Sequence, residues 1–474
     1  MERKHFALTP ALALPILFLV MLAAAGCNAS GLTGPATPTP LRPAPTATAH
    51  ATLPPVSSTE VKQAKPTSEP IATANEDPTP PPEGGAESST VTPTPTLLPS
   101  AERVHIFEEV WQTVNKNYLY KDFHGADWKA LHDKYLPLAT NAATSADFYK
   151  AISDMVDQLN DDHSRYLSPQ DASEEDDLQS GNANYVGIGI LSSPDATSLL
   201  VIFVFPGSPA EKAGLARRDR ITAVDGIAFK DARKEPSRIR GPQGSAVRLT
   251  VRSPEQPPRD LSIVRGTISG AITPSGSRLT TDPSVGFLVI PDLWTDNMGA
   301  LVDDELRKIV DGPTPLKGLI IDLRGNGGGF RTVLENILGD FVTGNVGTFF
   351  NQKEESPFVI QKGSLFDSLK NVPLVVLVDK GTESYAEVLA ATLQAKGRAK
   401  VVGGTSAGNT ETIYRYDFED ASRLWLAEES FRLPNGVNLE GRGVIPDATV
   451  DKDWTAYTDK DDPDILQALQ IFGK

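Results

Sequence analysis

Apolar positions along this chain change their spacing several times, and each change marks a new kind of segment. Ala11 to Ala25 is a short, nearly continuous apolar stretch. Residues 28 to about 100 are dominated by Pro, Thr, Ala and Ser, as in Thr37-Pro38-Thr39-Pro40, and carry no period that could line a core. From Ala101 the pattern becomes helical. Val104, Phe107, Trp111, Val114 and Tyr118 recur at helical spacing, a second helix follows from Asp127, and a third is expected from Ser145 to Leu159 with Phe148, Ile152, Met155 and Val156 on its apolar face. That helix ends in the polar stretch Asn160-Asp161-Asp162-His163-Ser164.

Short strands separated by turn residues occupy about 183 to 268, including Tyr185 to Ile190 and Leu199 to Val204. Beyond Ile272 buried strands alternate with helical stretches. The expected strands are Val285 to Ile290, Gly318 to Leu323, Pro373 to Val378 and Ala399 to Gly403. The expected helices run from Asn297 to Val310, from Thr332, and after Ser384. Such alternation predicts an α/β domain whose site lies at the carboxyl ends of the strands. Ser384 sits on one of these strand-to-helix turns. Its hydroxyl would be exposed at the sheet mouth beside helix N-terminal amides, which suits a nucleophile in acyl transfer. A serine there equally suits a helix cap, and the local sequence leaves both readings open.

At 474 residues the chain has room for two or three domains, and its net charge of -16 without a basic run argues against a nucleic-acid partner. Residues 1–26 read as a secretory signal: Arg3 and Lys4, a short apolar core, then Ala24-Ala25-Gly26. Cys27 follows directly and is the only cysteine, so it forms no internal disulfide. The arrangement resembles a bacterial lipobox, with Ala24 where leucine is commoner. A plain transmembrane anchor is the alternative, but the apolar stretch is short for one. The resemblance implies a lipidated Cys27, a spacer over 27–100, and a protein in the cell envelope on the outer side of the cytoplasmic membrane.

Tyr185-Val186-Gly187-Ile188-Gly189-Ile190, the strand Leu199 to Val204, Gly207-Ser208-Pro209-Ala210, and Asp219 to Gly226 follow one another in an order that resembles a PDZ domain, here 181–268. The resemblance implies that Val186, Gly187, Ile188 and Gly189 form a loop for a chain-terminal carboxylate, the peptide adding to the sheet edge as a strand. An internal lid that binds no free terminus is the other reading.

Gly325-Asn326-Gly327-Gly328-Gly329 also follows a strand, so it can meet the Ser384 turn. No lysine lies between Gly327 and Thr332 to complete a phosphate-binding P-loop. An oxyanion hole from the amides of Gly328 (or Gly327) and Tyr385 fits better. Asp322-Leu323-Arg324-Gly325-Asn326-Gly327-Gly328-Gly329, Ser384-Tyr385-Ala386-Glu387, Gly397-Arg398-Ala399 and Glu440-Gly441-Arg442-Gly443-Val444-Ile445-Pro446-Asp447 resemble the carboxyl-terminal processing peptidase family. The likeness runs from about Val104 to the C-terminus. It implies an α/β fold: a helical N-terminal region (101–180), a PDZ-like β-rich domain, and an α/β peptidase core of the ClpP/crotonase type (269–474). It also implies Ser384 as the nucleophile.

One position departs from the better-known branch of that family, which uses a Ser-Lys dyad. The lysine position falls on Asn409, whose amide cannot act as a base. Of the six histidines, His5 and His50 lie in the signal and spacer, and His105, His124 and His132 lie in the helical lead-in without a supporting motif. His163 resembles the histidine of the tricorn-like branch, which replaces lysine as base. In that branch a glutamate near the C-terminal glycine motif completes a relay, and Glu440 matches it, bridged by Ser164 or Asp162. Without the resemblance, His163 reads as a loop or helix-capping residue, Glu440 as a partner of Arg442, and pairs such as Glu428-Glu429 as solvated faces. No histidine or cysteine cluster has metal spacing, so zinc catalysis is not expected, and the peptidase reading implies no organic cofactor. The resulting expectation is a lipid-anchored serine endopeptidase that cleaves polypeptides, with the PDZ domain recognising substrate C-termini or gating the site. The alternative is an inactive PDZ scaffold that only binds peptides.

Overall fold

The parallel strands expected from the apolar runs form the centre of the molecule, in a computed structural model that describes residues 97–161, 163–179, 185–232 and 236–474. Cys27, the signal, the spacer to residue 96 and Asp162 lie outside the described residues. The six-stranded sheet runs Ser275–Arg278, Val285–Val289, Gly318–Asp322, Leu374–Val378, Lys400–Gly403, Ala448–Thr449, the first pair antiparallel and the rest parallel. Val285–Val289, Gly318–Asp322 and Leu374–Val378 are buried at every position, as strands covered on both faces require. Helices Met298–Val310, Arg331–Gly339 and Tyr385–Ala395 pack their apolar sides onto it.

The helical lead-in comprises Ser100–Asn117, Trp128–Thr140 capped by the Asp127 side chain, and Ser145–Val156 capped by Thr144. The third helix tightens into a 3₁₀ turn over Asp157–Leu159 and stops at Asn160, whose φ is 51°. The core of this region, centred on Phe107, Phe148 and Ile152, continues into Leu424 and Leu426 of a second sheet. That sheet joins Arg165–Leu167, Arg423–Arg432, Gly344–Phe350 and Glu355–Ile360, with Thr412–Asp417 paired to Arg423–Arg432. It was not expected from the sequence, and neither was the helix Pro169–Gln179.

The segment expected as one strand from Tyr185 to Ile190 divides at Ile188-Gly189. Tyr185–Gly187 pairs with Gly266–Ile268, while Ile190–Pro194 forms the edge of a separate sheet with Leu199–Val204, Arg220–Val224, Ala246–Arg252 and Arg259–Val264. The break follows from Gly189, whose φ of 85° turns the chain out of extended geometry. This β-rich domain is tied to the six-stranded sheet by a buried ion cluster. Asp322, with no exposed surface, accepts from Arg324 and from Arg217 Nη2 at 2.8 Å. Arg218 pairs with Asp462 at 2.9 Å, and Arg324 with Asp464 at 2.8 Å. The Arg324 guanidinium lies 4.1 Å over the Trp454 ring.

Candidate active site

Strand Leu374–Val378 delivers Asp379 to Glu383 as a turn pinned from both ends. Asp379 Oδ1 accepts from the amides of Gly325 (2.9 Å) and Gly381 (3.0 Å), and Thr382 Oγ1 donates to Leu323 O at 2.9 Å. The turn forces Ser384 to φ 54°, ψ -129° at the head of helix Tyr385–Ala395. A non-glycine residue held there costs about 1–3 kcal/mol, a strain characteristic of functional turns. Gly328, at φ 82°, presses its backbone against this turn so closely that a Cβ on it would lie 2.6 Å from Ser384 Cβ and 3.0 Å from Tyr385 N. Both glycine-loop and serine-turn thus meet at one sheet edge, as their positions after strands required.

The expected donor role of Gly328 needs correction. Its amide is given to Asn326 Oδ1 at 2.8 Å, an Asx turn that fixes the glycine loop, so in this conformation its N–H is committed. Gly327 is exposed and has open space beside it. Tyr385 is buried, and its hydroxyl bonds Thr412 Oγ1 (2.9 Å) and accepts from Arg331 Nε (3.2 Å).

His163 and Glu440 line a single cavity of about 810 Å³, together with Asn409, Glu383 and Glu411. The imidazole is buried, and its backbone amide donates to Asp161 Oδ1 at 2.9 Å. Asp161 Oδ2 in turn accepts from Tyr118 Oη at 2.6 Å. Ser164, one expected bridge to Glu440, turns its hydroxyl toward Ala427 N at 3.1 Å instead. Glu440 Oε2 accepts from Thr410 N at 2.7 Å and Thr410 Oγ1 at 3.3 Å rather than pairing with Arg442, and burial pushes its carboxyl up. Ser384 lies on the wall of a neighbouring cleft of about 260 Å³, and Glu411 lines both spaces. The structure therefore brings His163, Asn409 and Glu440 together, with Glu383 and Asn409 linking that cavity to the serine turn.

Asn409 connects to Ser384 through the backbone, since Ser384 N donates to Asn409 O at 2.7 Å. Glu387 completes the connection. Its Oε1 accepts from Ser406 Oγ (2.5 Å) and Gly408 N (2.7 Å), and its Oε2 from Asn409 N (2.9 Å) and Ser384 N (3.2 Å). Burial raises its pKa, while the Ser406 hydroxyl and these amides act in the opposite direction. The sequence placed Glu387 in a motif without giving it this task. Its one signal is its place three residues after a helix-capping serine.

Glu411 was missed altogether, and His124 was set aside for want of a supporting motif. Glu411 is buried and accepts from Tyr120 Oη; burial, with this bond second, drives the Tyr120 phenol far above its ordinary range. His124, at φ 52°, lines the same cavity as His163 and contacts Leu159 O through Nδ1 at 3.2 Å. Nor is the Glu428-Glu429 pair a solvated face. Glu429 is buried against Arg331, and Glu428 accepts from Tyr416 Oη at 2.5 Å.

In the β-rich domain, Val186 and Gly187 belong to the short strand paired with Gly266–Ile268. Ile188 O accepts from Ala210 N (2.8 Å), and Gly189 O from Phe205 N (3.0 Å). The edge strand that follows ends at Ser193 and Pro194, which line the His163 cavity. Among the described residues no group of three or more His, Cys, Asp or Glu could hold a metal ion, and no helix is long and apolar enough to cross a membrane.

Residues 284–450 match the model of peptidase family S41, residues 99–157 that of the tricorn protease C1 domain, and residues 204–253 that of a PDZ domain. The chain is 28% identical over 364 residues to a carboxyl-terminal-processing protease of Picosynechococcus, covering 74% of this chain and 83% of that protein. It is 30% identical over 308 residues to carboxy-terminal processing protease CtpB of Bacillus subtilis, covering 62% and 61%. Among solved structures, a photosystem II D1 C-terminal processing protease superimposes with a TM-score of 0.55 at 26% identity, over 74% of this chain and 93% of that one.

Proposed function

This chain belongs to the carboxyl-terminal processing peptidases, a PDZ-containing family of serine peptidases, and from that premise we propose an envelope-anchored endopeptidase in which Ser384 is the nucleophile and His163 its base. The observation that carries this reading is the shared cavity of His163, Glu440 and Asn409, joined to Ser384 through the Ser384 N–Asn409 O bond. A serine hydroxyl is a weak nucleophile and needs a proton acceptor. Asn409 has none to offer, and His163 lines the same cavity.

Ser384 Oγ attacks the scissile carbonyl as its proton passes to the His163 imidazole. The Oγ–C bond forms, the carbonyl π pair moves to oxygen, and the Tyr385 amide with that of Gly327 stabilises the oxyanion. Collapse breaks the C–N bond, and His163 returns the proton to the leaving amine. Water then takes the same route to release the acyl group. Glu440, with its carboxyl raised by burial and held by Thr410, orients the imidazole. The PDZ domain recruits a polypeptide C-terminus or gates the cavity, a role favoured by Ser193 and Pro194 at its rim. A lipidated Cys27 holds the enzyme outside the cytoplasmic membrane.

An active-site fluorophosphonate probe tests the pair. Labelling of the wild type, its loss in Ser384→Ala and a reduction of about 10²-fold or more in His163→Ala are expected. Full labelling of the His163 variant would remove His163 from the mechanism. An unlabelled wild type that still binds peptides would favour the inactive scaffold, for which the protein comparisons give no support.

A further inference from the structure

The cleft on which Ser384 lies differs in chemistry from the polar cavity behind it. Its walls are Trp294, Phe330, Ile413, Tyr414 and Trp425. Trp294 forms the corner, meeting Phe330 edge-to-face at 5.2 Å and 75° and Trp425 at 5.8 Å and 73°. At about 260 Å³ the space falls below the roughly 300–1,000 Å³ of drug-sized sites and matches one side chain instead.

These rings are held in register with the nucleophile. Leu293 N donates to Gly328 O at 2.7 Å and Phe330 N to Leu293 O at 2.8 Å, so Trp294 and Phe330 flank the two backbones clamped at the glycine loop. Trp425 is buried, donates Nε1–H to Glu175 Oε2 at 2.8 Å and lies under the Arg165 guanidinium at 5.7 Å. Arg331 also lines the cleft, but its charge is paired with Glu429 and stacked 3.7 Å over the Phe349 ring, so it holds no positive charge in reserve for an acidic side chain. The Glu411 carboxylate at the junction disfavours an acid further.

We propose that this cleft is a specificity subsite that takes an aromatic side chain flanking the scissile bond, with Trp294 and Trp425 as its selecting residues. The proposal rests on Ser384 being the nucleophile. A guest ring gains area burial plus edge contacts with Trp294, Phe330 or Trp425, and each aromatic pair adds roughly 2- to 12-fold beyond burial. An alanine side chain would leave most of the cleft unfilled.

Full-length protein incubated with a mixed peptide library, its cleavage sites read by mass spectrometry, tests the idea. An aromatic residue at one fixed position beside the cut bond is expected. Matched peptides differing only by Phe or Ala there should differ at least roughly 10-fold in kcat/KM. Trp294→Ala should bring that ratio below about 3-fold while Ser384 still reacts with a fluorophosphonate probe. Should that variant fail to fold, Trp294→Leu and Phe330→Leu are expected to narrow the ratio in the same direction. Cleavage that favours Ala, or a ratio unchanged by every variant, overturns the subsite while leaving Ser384 in place. Absence of both cleavage and probe labelling in the wild type overturns the catalytic reading, and the subsite falls with it.

Discussion

At Ser384 a φ of 54° is maintained by bonds the residue receives from elsewhere: its amide is shared between Asn409 O and Glu387, and Gly328 packs on its Cβ. Strain of this kind is stored where the surroundings over-determine it. The same region holds a second costly group. Asp292 is buried beside Leu293, its Oδ1 lacks a hydrogen-bond partner among the described residues, and burial pushes its carboxyl up to about 6 despite bonds from Thr295 and Trp294. A folded-state pKa above the usual 3.9 means that its contribution is fully present at acid pH and is lost as pH rises through about 6. Asp292→Asn, compared with wild type by urea unfolding, should therefore gain about 2–3 kcal/mol in relative stability between pH 4 and pH 8. A difference that does not vary with pH would mean that Asp292 ionises alike in the folded and unfolded states, as a solvated carboxyl would. The serine turn and the glycine loop were legible as turns because turn chemistry is local, whereas the bond that commits the Gly328 amide to Asn326 was not. Glu387 and Glu411 were not, because their partners come from Ser406 to Asn409 and from Tyr120, far along the chain.

Among elements, the strands of the parallel sheet declared themselves as unbroken apolar runs, and the lead-in helices by their period. Strand Arg423–Arg432 did not. It is almost wholly buried yet contains Arg423, Glu428 and Glu429, which are satisfied by Glu175, Asp417, Tyr416 and Arg331 rather than by water. Ion pairs supplied by other elements erase the alternation that identifies a strand. The buried cluster around Asp322 shows the same effect at the join between the PDZ domain and the sheet. Burial by itself would raise the Asp322 carboxyl, but Arg324 and then Arg217 override it and hold it well below the usual range. A depressed folded-state pKa stabilises above the usual carboxylate pKa near 3.9, and that stability is lost as pH falls below it. Arg217→Ala should cost about 1–3 kcal/mol at pH 7, steepen acid loss less than in wild type, and speed proteolytic release of the PDZ segment. Unchanged proteolysis would show that other contacts hold the domain.

At the scale of the whole molecule, the family and its α/β fold were readable because the glycine and serine motifs are contiguous in sequence. The arrangement of His163, Glu440 and Glu411 was only partly so, because it joins the lead-in, the Asn409 loop and the C-terminal glycine turn in space. The proposed anchor belongs to this scale too. If Cys27 carries the lipid, Cys27→Ser should move the protein from the membrane to the soluble fraction, and unaltered membrane retention would refute the lipidation. The central claim, that His163 serves Ser384, is tested most directly by a crystal structure of the fluorophosphonate adduct on Ser384. A His163 ring nitrogen within about 2.6–3.2 Å of Ser384 Oγ is the expected result. An adduct in which His163 stays out of reach of the serine would contradict it.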